Sequence, residues 1–350
     1  MFTTNGQSAE LPQLAVAKSD FPIPAHWQGT AQRHIGELHY WLPWIGALLF
    51  ATVLTCLPLE GFKDRQEYLN FFTNSPIILL ANLQNGPLSL LTNEPLFLLL
   101  CLGLGQLVGP ENGLRFIIFS GAFLVALQTF KVAPKSIFLL LAFLLVPQVI
   151  EKHIVHLRQG LALGVFLLGW MSTRPRLRWA IMLVAPLLHS SFFFVLMLTG
   201  VAIASRRFRL SKMFVVLLYV AIAITVGLVL GVITGALGAR QAEEETFGAA
   251  AQGISGFGFV FWTLPLAIML LEGRQFFREH ILEVGSLIFY LASYFISPFS
   301  ARVFESSLLL ILLSSLRMKR FNRNLFVATI FAYMLMQWFM IAYGLTPAFT

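Results

Sequence analysis

His189 lies in the middle of Trp179–Ala204, a stretch that holds no Asp, Glu, Lys or Arg. An ionisable side chain at membrane depth is costly to bury and is by default a candidate functional group. Imidazole titrates near neutrality, so His189 could move a proton or hydrogen-bond a phosphate. Upstream, Arg158 stands at the mouth of another apolar segment, in Arg158-Gln159-Gly160-Leu161-Ala162. Guanidinium keeps its charge and offers a planar fork of donors that fits phosphate oxygens. Two such groups on adjacent apolar segments point to a buried pocket for something anionic or hydroxylated. The plainer readings are a histidine that only bonds a neighbouring helix and an arginine that anchors a helix at the headgroups.

Carboxylates come from a different region. Asp64, Glu67 and Glu94, with Tyr68, fall in the mixed polar segment 59–94. A carboxylate near the membrane surface can act as a general base toward a hydroxyl, or hold a divalent cation beside a phosphate. A solvated loop charge is the competing reading. Arg302 sits in Ser297–Glu305, a loop expected outside, where a cation is disfavoured. It is the second candidate for an anionic substrate, and Gln159 and Ser190 flank the two principal polar points. Glu151, His153 and His156 lack zinc-site spacing, so no metal site is expected from them. P-loop, GxSxG and HExxH patterns are absent, which removes support for ATPase, serine hydrolase and zincin readings.

The elements that must position these groups are membrane helices. The 350 residues are 57% hydrophobic and 11% charged, against about 25% charged in soluble domains. This composition makes an all-α polytopic membrane protein embedded in the lipid bilayer. Apolar segments fall at 41–57, 95–108, 114–130, 136–150, 159–172, 179–204, 213–237, 254–271, 281–296, 306–316 and 325–343, about eleven candidate transmembrane segments. Residues 1–40 are polar and read as a cytoplasmic N-terminal tail; 41–350 reads as one membrane domain. Within it, 59–94 is expected to be the first external loop, with short amphipathic pieces in the interface. The net charge of +8 is scattered through short loops, so nucleic acid is not an expected partner. Positive-inside patterning puts Arg206–Lys212, Arg274–Arg278 and Arg317–Arg323 on the cytoplasmic side, with Glu243–Glu245 and Ser297–Glu305 outside. Pro186 and His189-Ser190-Ser191 suggest that 179–204 is broken rather than straight. Cys56 and Cys101 lie in apolar segments, and no disulfide is expected.

The order of these motifs resembles the EpsG family of Wzy-like bacterial polysaccharide polymerases. Arg158-Gln159-Gly160-Leu161-Ala162, an apolar helix, a basic turn and then Leu188-His189-Ser190-Ser191 is similar to its "RQ-x-x-A … H-S" signature. Asp64-x-x-x-Tyr68-x-x-Phe71 and Glu94-Pro95-x-x-Phe97 are similar to its upstream elements. One departure is the lead into the aspartate, Gly61-Phe62-Lys63-Asp64, shifted by a residue. The resemblance spans roughly 55–200 and implies a GT-C-like membrane glycosyltransferase. It implies polymerisation of undecaprenyl-pyrophosphate-linked oligosaccharide repeat units at the periplasmic or outer face of a bacterial inner membrane, without a nucleotide. A polysaccharide chain-length regulator would be a possible partner and a divalent cation a possible cofactor. Asp64, Glu94 and His189 are then the candidate catalytic groups, and Arg158, Gln159, Tyr68, Ser190 and Arg302 the candidate substrate-binding groups. A flippase of lipid-linked oligosaccharide and an O-antigen ligase are the rival functions.

Overall fold

Proline and glycine punctuate the apolar runs and set where each helix begins. The computed structural model describes residues 37–62, 64–236, 256–297 and 299–345, and every regular element among them is helical. Most of the expected N-terminal tail and the Glu243–Glu245 loop lie outside the described residues. In chain order the site-bearing half comprises α1 (Glu37–Thr55), α2 (Arg65–Gln84), α3 (Pro87–Thr92), α4 (Pro95–Val108), α5 (Pro110–Val132), α6 (Ile137–Leu144), α7 (Pro147–Ile154), α8 (Leu157–Trp170), α9 (Pro175–Met182) and α10 (Ala185–Leu188). The remainder is α11 (Ser191–Arg207), α12 (Lys212–Ala236), α13 (Phe257–Leu271), α14 (Arg274–Glu279), α15 (Ile281–Ser293), α16 (Phe299–Ser314) and α17 (Arg320–Ala342). Many of these helices open on proline, whose missing N–H is not needed in a first turn.

Among the described residues four helices are long and apolar enough to cross a membrane: α5, α12, α16 and α17. A fifth span arises if the pair 134–144 and 147–154, bent by 77°, is counted as one. The other apolar segments of the eleven-segment reading are shorter helices, such as α4, α8, α13 and α15, or are interrupted. Hydropathy registers such short pieces as spans because it cannot see where the backbone turns. The break expected within 179–204 is present: the chain leaves helix at 183–184 and again at His189-Ser190. The region 59–94 differs from the expected short pieces. It contains one continuous 20-residue helix, α2, that passes through Pro76. Pro76 cannot donate, and the Ser75 hydroxyl beside it donates to the Phe71 carbonyl at 2.5 Å.

The core runs through α5 and α8 in the first half and through α15 and α16 in the second. Of the most apolar window of α16, 78% is buried, against 17% for α12 and α17, whose outer faces carry the lipid-like surface. Backbone closeness makes the α5–α8 contact. A Cβ on Gly121 would stand 3.2 Å from the Leu161 nitrogen, and one on Gly164 would stand 2.8 Å from Leu124 Cβ; Gly160 makes a like approach to α7, where a Cβ would stand 2.1 Å from the Lys152 carbonyl oxygen. Small residues at such crossings let helices pack without a hydrophobic driving force. Buried polar ties hold the two halves together. Lys152 on α7 pairs with Glu305 on α16, and Trp338 Nε1 on α17 donates to the Leu145 carbonyl at 3.0 Å.

The basic loops assigned to one side do meet at one end of the bundle. Arg206 donates to the Glu279 carbonyl, Lys212 Nζ to the Leu270 carbonyl at 3.1 Å, and Lys319 N to Glu272 Oε1 at 2.6 Å.

Candidate functional site

Glu94 is the residue around which the site is built. It occupies the N-cap of α4 with φ 57° and ψ 51°, a left-handed conformation that glutamate rarely adopts, immediately before Pro95. Such backbone costs about 1 kcal/mol or more and persists where surroundings over-determine it. Here three donors do so. Arg158 Nη1 pairs with Glu94 Oε2. His189 Nδ1 lies 2.6 Å from Glu94 Oε1, and the Ser190 backbone N–H donates to the same oxygen at 3.3 Å. The carboxylate is nearly inaccessible, with its side chain 6% exposed. Burial alone would raise its pKa, but the Arg158 guanidinium and then His189 outweigh that and hold it below the ordinary carboxylate range.

Each partner arrives from a helix terminus. Arg158 lies in the first turn of α8, where the helix dipole disfavours a cation, so a counter-ion is needed. Its guanidinium is roofed by aromatic rings: Phe71, Tyr68 and Phe97 have centroids 5.3, 5.7 and 5.8 Å from Cζ. Its Nε is buried with no hydrogen-bond partner among the described residues, which leaves one donor spare. His189 stands in the break between α10 and α11 with extended backbone, φ −154° and ψ 122°. That break releases the Ser190 N–H for the carboxylate.

A second layer joins α8, α11 and α16. Gln159 Nε2 donates to the Arg302 carbonyl at 3.0 Å and to Ser306 Oγ at 2.7 Å, and Ser191 Oγ lies 2.8 Å from Ser306 Oγ. Gln159 is therefore buried and engaged with protein; it fixes the turn of α16 that carries Arg302. The Arg302 side chain is exposed, and its charge acts on His189.

The structure thus brings together Glu94, Arg158, His189, Ser190 and Tyr68, with Arg302 beside them and Gln159 beneath. Asp64 stands apart. It precedes α2 with φ 64°, its carbonyl accepts from Tyr68 N at 2.9 Å, and its side chain makes no hydrogen bond or ion pair among the described residues. Among the described residues no group of three or more His, Cys, Asp or Glu could hold a metal ion. Ser306, and the rings of Phe71 and Phe97 over Arg158, join the cluster from outside the candidate catalytic and binding groups. A serine inside the apolar run of α16 was the available signal for the first.

A family model, that of the EpsG family, matches residues 41–347. The chain belongs to the EpsG family. This is a family of Wzy-like polysaccharide polymerases. The match extends well past the motif-bearing region, through α17, and includes every group in the Glu94 cluster. No curated protein and no solved structure matches the chain. The protein is accordingly a polysaccharide-polymerase-like membrane protein.

Proposed function

We propose that the protein is a GT-C-type membrane glycosyltransferase that polymerises polyprenyl-pyrophosphate-linked oligosaccharide repeat units at the outer face of the membrane. The observation that carries this reading is the Glu94 cluster. One buried carboxylate orients a guanidinium with a spare donor and an imidazole, next to a second arginine. That set suits a reaction whose leaving group is a pyrophosphate.

In the proposed step, a hydroxyl oxygen of the acceptor sugar attacks the anomeric carbon of the donor sugar. The bond from that carbon to the pyrophosphate oxygen breaks, and the electron pair leaves with the polyprenyl pyrophosphate. Arg158 and Arg302 stabilise the charge that develops there. With Nδ1 donating to Glu94, His189 Nε2 is the acceptor for the hydroxyl proton, and Glu94 steadies the resulting imidazolium. Both roles given to Glu94 and His189 follow the logic of an oriented base. A carboxylate already accepting from three donors is a weak base, so proton removal passes from Glu94 to His189. Asp64, four residues before Tyr68, is left as an acceptor-side carboxylate. No nucleotide and no metal ion enters this scheme. The outer face is supported by Arg302, which lies at the end of α16 opposite the basic loops.

The test is polymer length in cells carrying Arg158→Ala, His189→Ala or Asp64→Ala, each at normal membrane abundance. Single repeat units should persist while long chains vanish for the first two. Accumulation of lipid-linked repeats on the cytoplasmic face would favour a flippase instead. Unchanged chain length in all three would refute the site.

A further inference from the structure

Helix α11 begins at the Glu94 cluster and, at 1.5 Å per residue, ends about 25 Å away. At that far end, the turn from α11 to α12 and the segment from α13 to α15 enclose a cavity of about 1070 Å³. Five of its lining residues are cations: Arg206, Arg209, Lys212, Arg274 and Arg278, against the single carboxylate of Glu279. That carboxylate is engaged by Gln275 Nε2 at 3.0 Å. Among the described residues no ion pair joins any of the five cations to a carboxylate; Arg206 and Lys212 donate to backbone carbonyls, and Lys212 Nζ also lies 5.5 Å from the Phe277 ring centroid. Arg206 Nε is buried with no hydrogen-bond partner among the described residues. Five like charges around a cavity, opposed near Arg206 by the buried Glu283 and by the Gln275-bound Glu279, still repel one another, and an anion relieves that repulsion.

Backbone geometry at Arg209 is an independent sign. The end of α11 closes with Leu210 N donating to the Ser205 carbonyl at 2.9 Å and Arg209 N to the Arg206 carbonyl at 3.1 Å. This turn places Arg209 at φ 50°, the position that glycine normally fills at a helix end. A cation held there against the backbone's preference suggests a role for its charge.

The walls are not those of a site for a small soluble ion. Met213, Val216, Leu270 and Phe277 line the cavity alongside the cations. Phe208 and Leu271, 73% and 77% exposed, flank it on the surface that faces lipid. Positive-inside patterning also puts this end at the cytoplasmic leaflet, where anionic headgroups concentrate and basic pockets between helices hold them. We propose that this cavity binds the phosphate headgroup of an anionic phospholipid, with its acyl chain along Met213, Val216 and Leu270. The inference rests on the membrane setting and not on the polymerase reading.

The test uses the full chain in nanodiscs of phosphatidylcholine alone and of phosphatidylcholine with about one part in four phosphatidylglycerol. Thermal unfolding and binding of a labelled phosphatidylglycerol are measured for the wild type, Arg209→Gly, Arg274→Gln and the double variant. Arg209→Gly removes the charge while giving the turn the residue its φ favours, so in neutral lipid it should unfold no earlier than wild type. The wild type should gain stability from phosphatidylglycerol. The variants should lose that gain, with affinity falling about fivefold for each cation removed. An equal gain in the wild type and the double variant would overturn the proposal. So would inorganic phosphate or pyrophosphate reproducing the whole effect in neutral lipid, which would make this a site for a soluble anion. Arg274 is exposed, so Arg274→Gln alone serves as the reading if the turn variant does not fold.

Discussion

Replacing Glu94 with glutamine keeps its shape and removes its charge, so it isolates what the carboxylate does. The glutamine would retain one acceptor for Arg158, His189 and the Ser190 N–H, three donors that now share two oxygens. Its amide nitrogen would face at least one of them as a second donor. Removing one member of a buried ion pair costs about 3–5 kcal/mol. The Arg158 side chain is 25% exposed, so water screens part of the orphaned charge. A loss of about 2–3 kcal/mol is then expected for Glu94→Gln, and about 2 kcal/mol for Arg158→Gln. In the double variant neither charge remains and two amides can bond each other, so a loss of only about 1 kcal/mol is expected. The coupling energy from the cycle should be at least about 1.5 kcal/mol. Thermal unfolding in lipid nanodiscs reads this as a drop of about 4–6 °C for each single variant and a smaller drop for the double. The double variant should nevertheless make no long polymer, because the guanidinium is gone. Strictly additive losses would show that Glu94 and Arg158 do not act as a pair, and the site would have to be rebuilt without that contact.

Three further outcomes follow from the same geometry. Gly160→Ala puts a Cβ 2.1 Å from the Lys152 carbonyl, whereas Gly103 has nothing within 4 Å of the same atom; Gly160→Ala should lower membrane abundance sharply, and Gly103→Ala should match or exceed the wild type. Lys152 is 1% exposed and its partner Glu305 22%, so the two ends of that pair differ. Glu305→Leu should cost about 3 kcal/mol by stranding a buried ammonium. Lys152→Met should cost about 1 kcal/mol, leaving a partly solvated carboxylate; equal melting shifts would contradict the assigned burial. The depressed pKa of Glu94 means its stabilisation is full above the ordinary value of 4.5 and is lost as pH falls below it toward the folded-state value. The melting difference between wild type and Glu94→Gln should therefore not shrink from neutral pH to about 5, and should shrink only in stronger acid. A difference that already shrinks between about pH 7 and 5 would mean that the carboxyl is not held down by Arg158 and His189.

Glu94, Arg158 and His189 were legible in the sequence because each is an ionisable group at the border or centre of an apolar run. The motif order then linked them without any geometry. What could not be read was how they share the work. Glu94 read as a possible free base, and only the converging ends of α8 and α11 make it the acceptor for three donors. Gln159 read as a substrate ligand, but its amide reaches Arg302 and Ser306 across the helix interface, a contact separated by more than 140 residues. Arg65 and Arg178 show the same limit. Both are buried, Arg65 donating to the Pro58 and Ile154 carbonyls at 3.1 Å and Arg178 to the Ser172 carbonyl at 2.6 and 3.0 Å. Arginine used to satisfy backbone carbonyls leaves no periodic trace. The span count suffered for a related reason, since hydropathy measures how apolar a window is and not whether its helix bends. The 77° bend before Pro147 divides a segment that reads as continuous.

The most direct measurement reconstitutes the purified protein with lipid-linked repeat units and no nucleotide, and follows linkage formation and polyprenyl pyrophosphate release together. It is run for the wild type and for His189→Gln, which can still bond Glu94 but cannot carry the proton. The account expects one polyprenyl pyrophosphate released for each new glycosidic linkage by the wild type, and neither product from the variant at equal abundance. Polymer growth at the wild-type rate by His189→Gln, or repeat units that cross the membrane with no linkage formed, would contradict it.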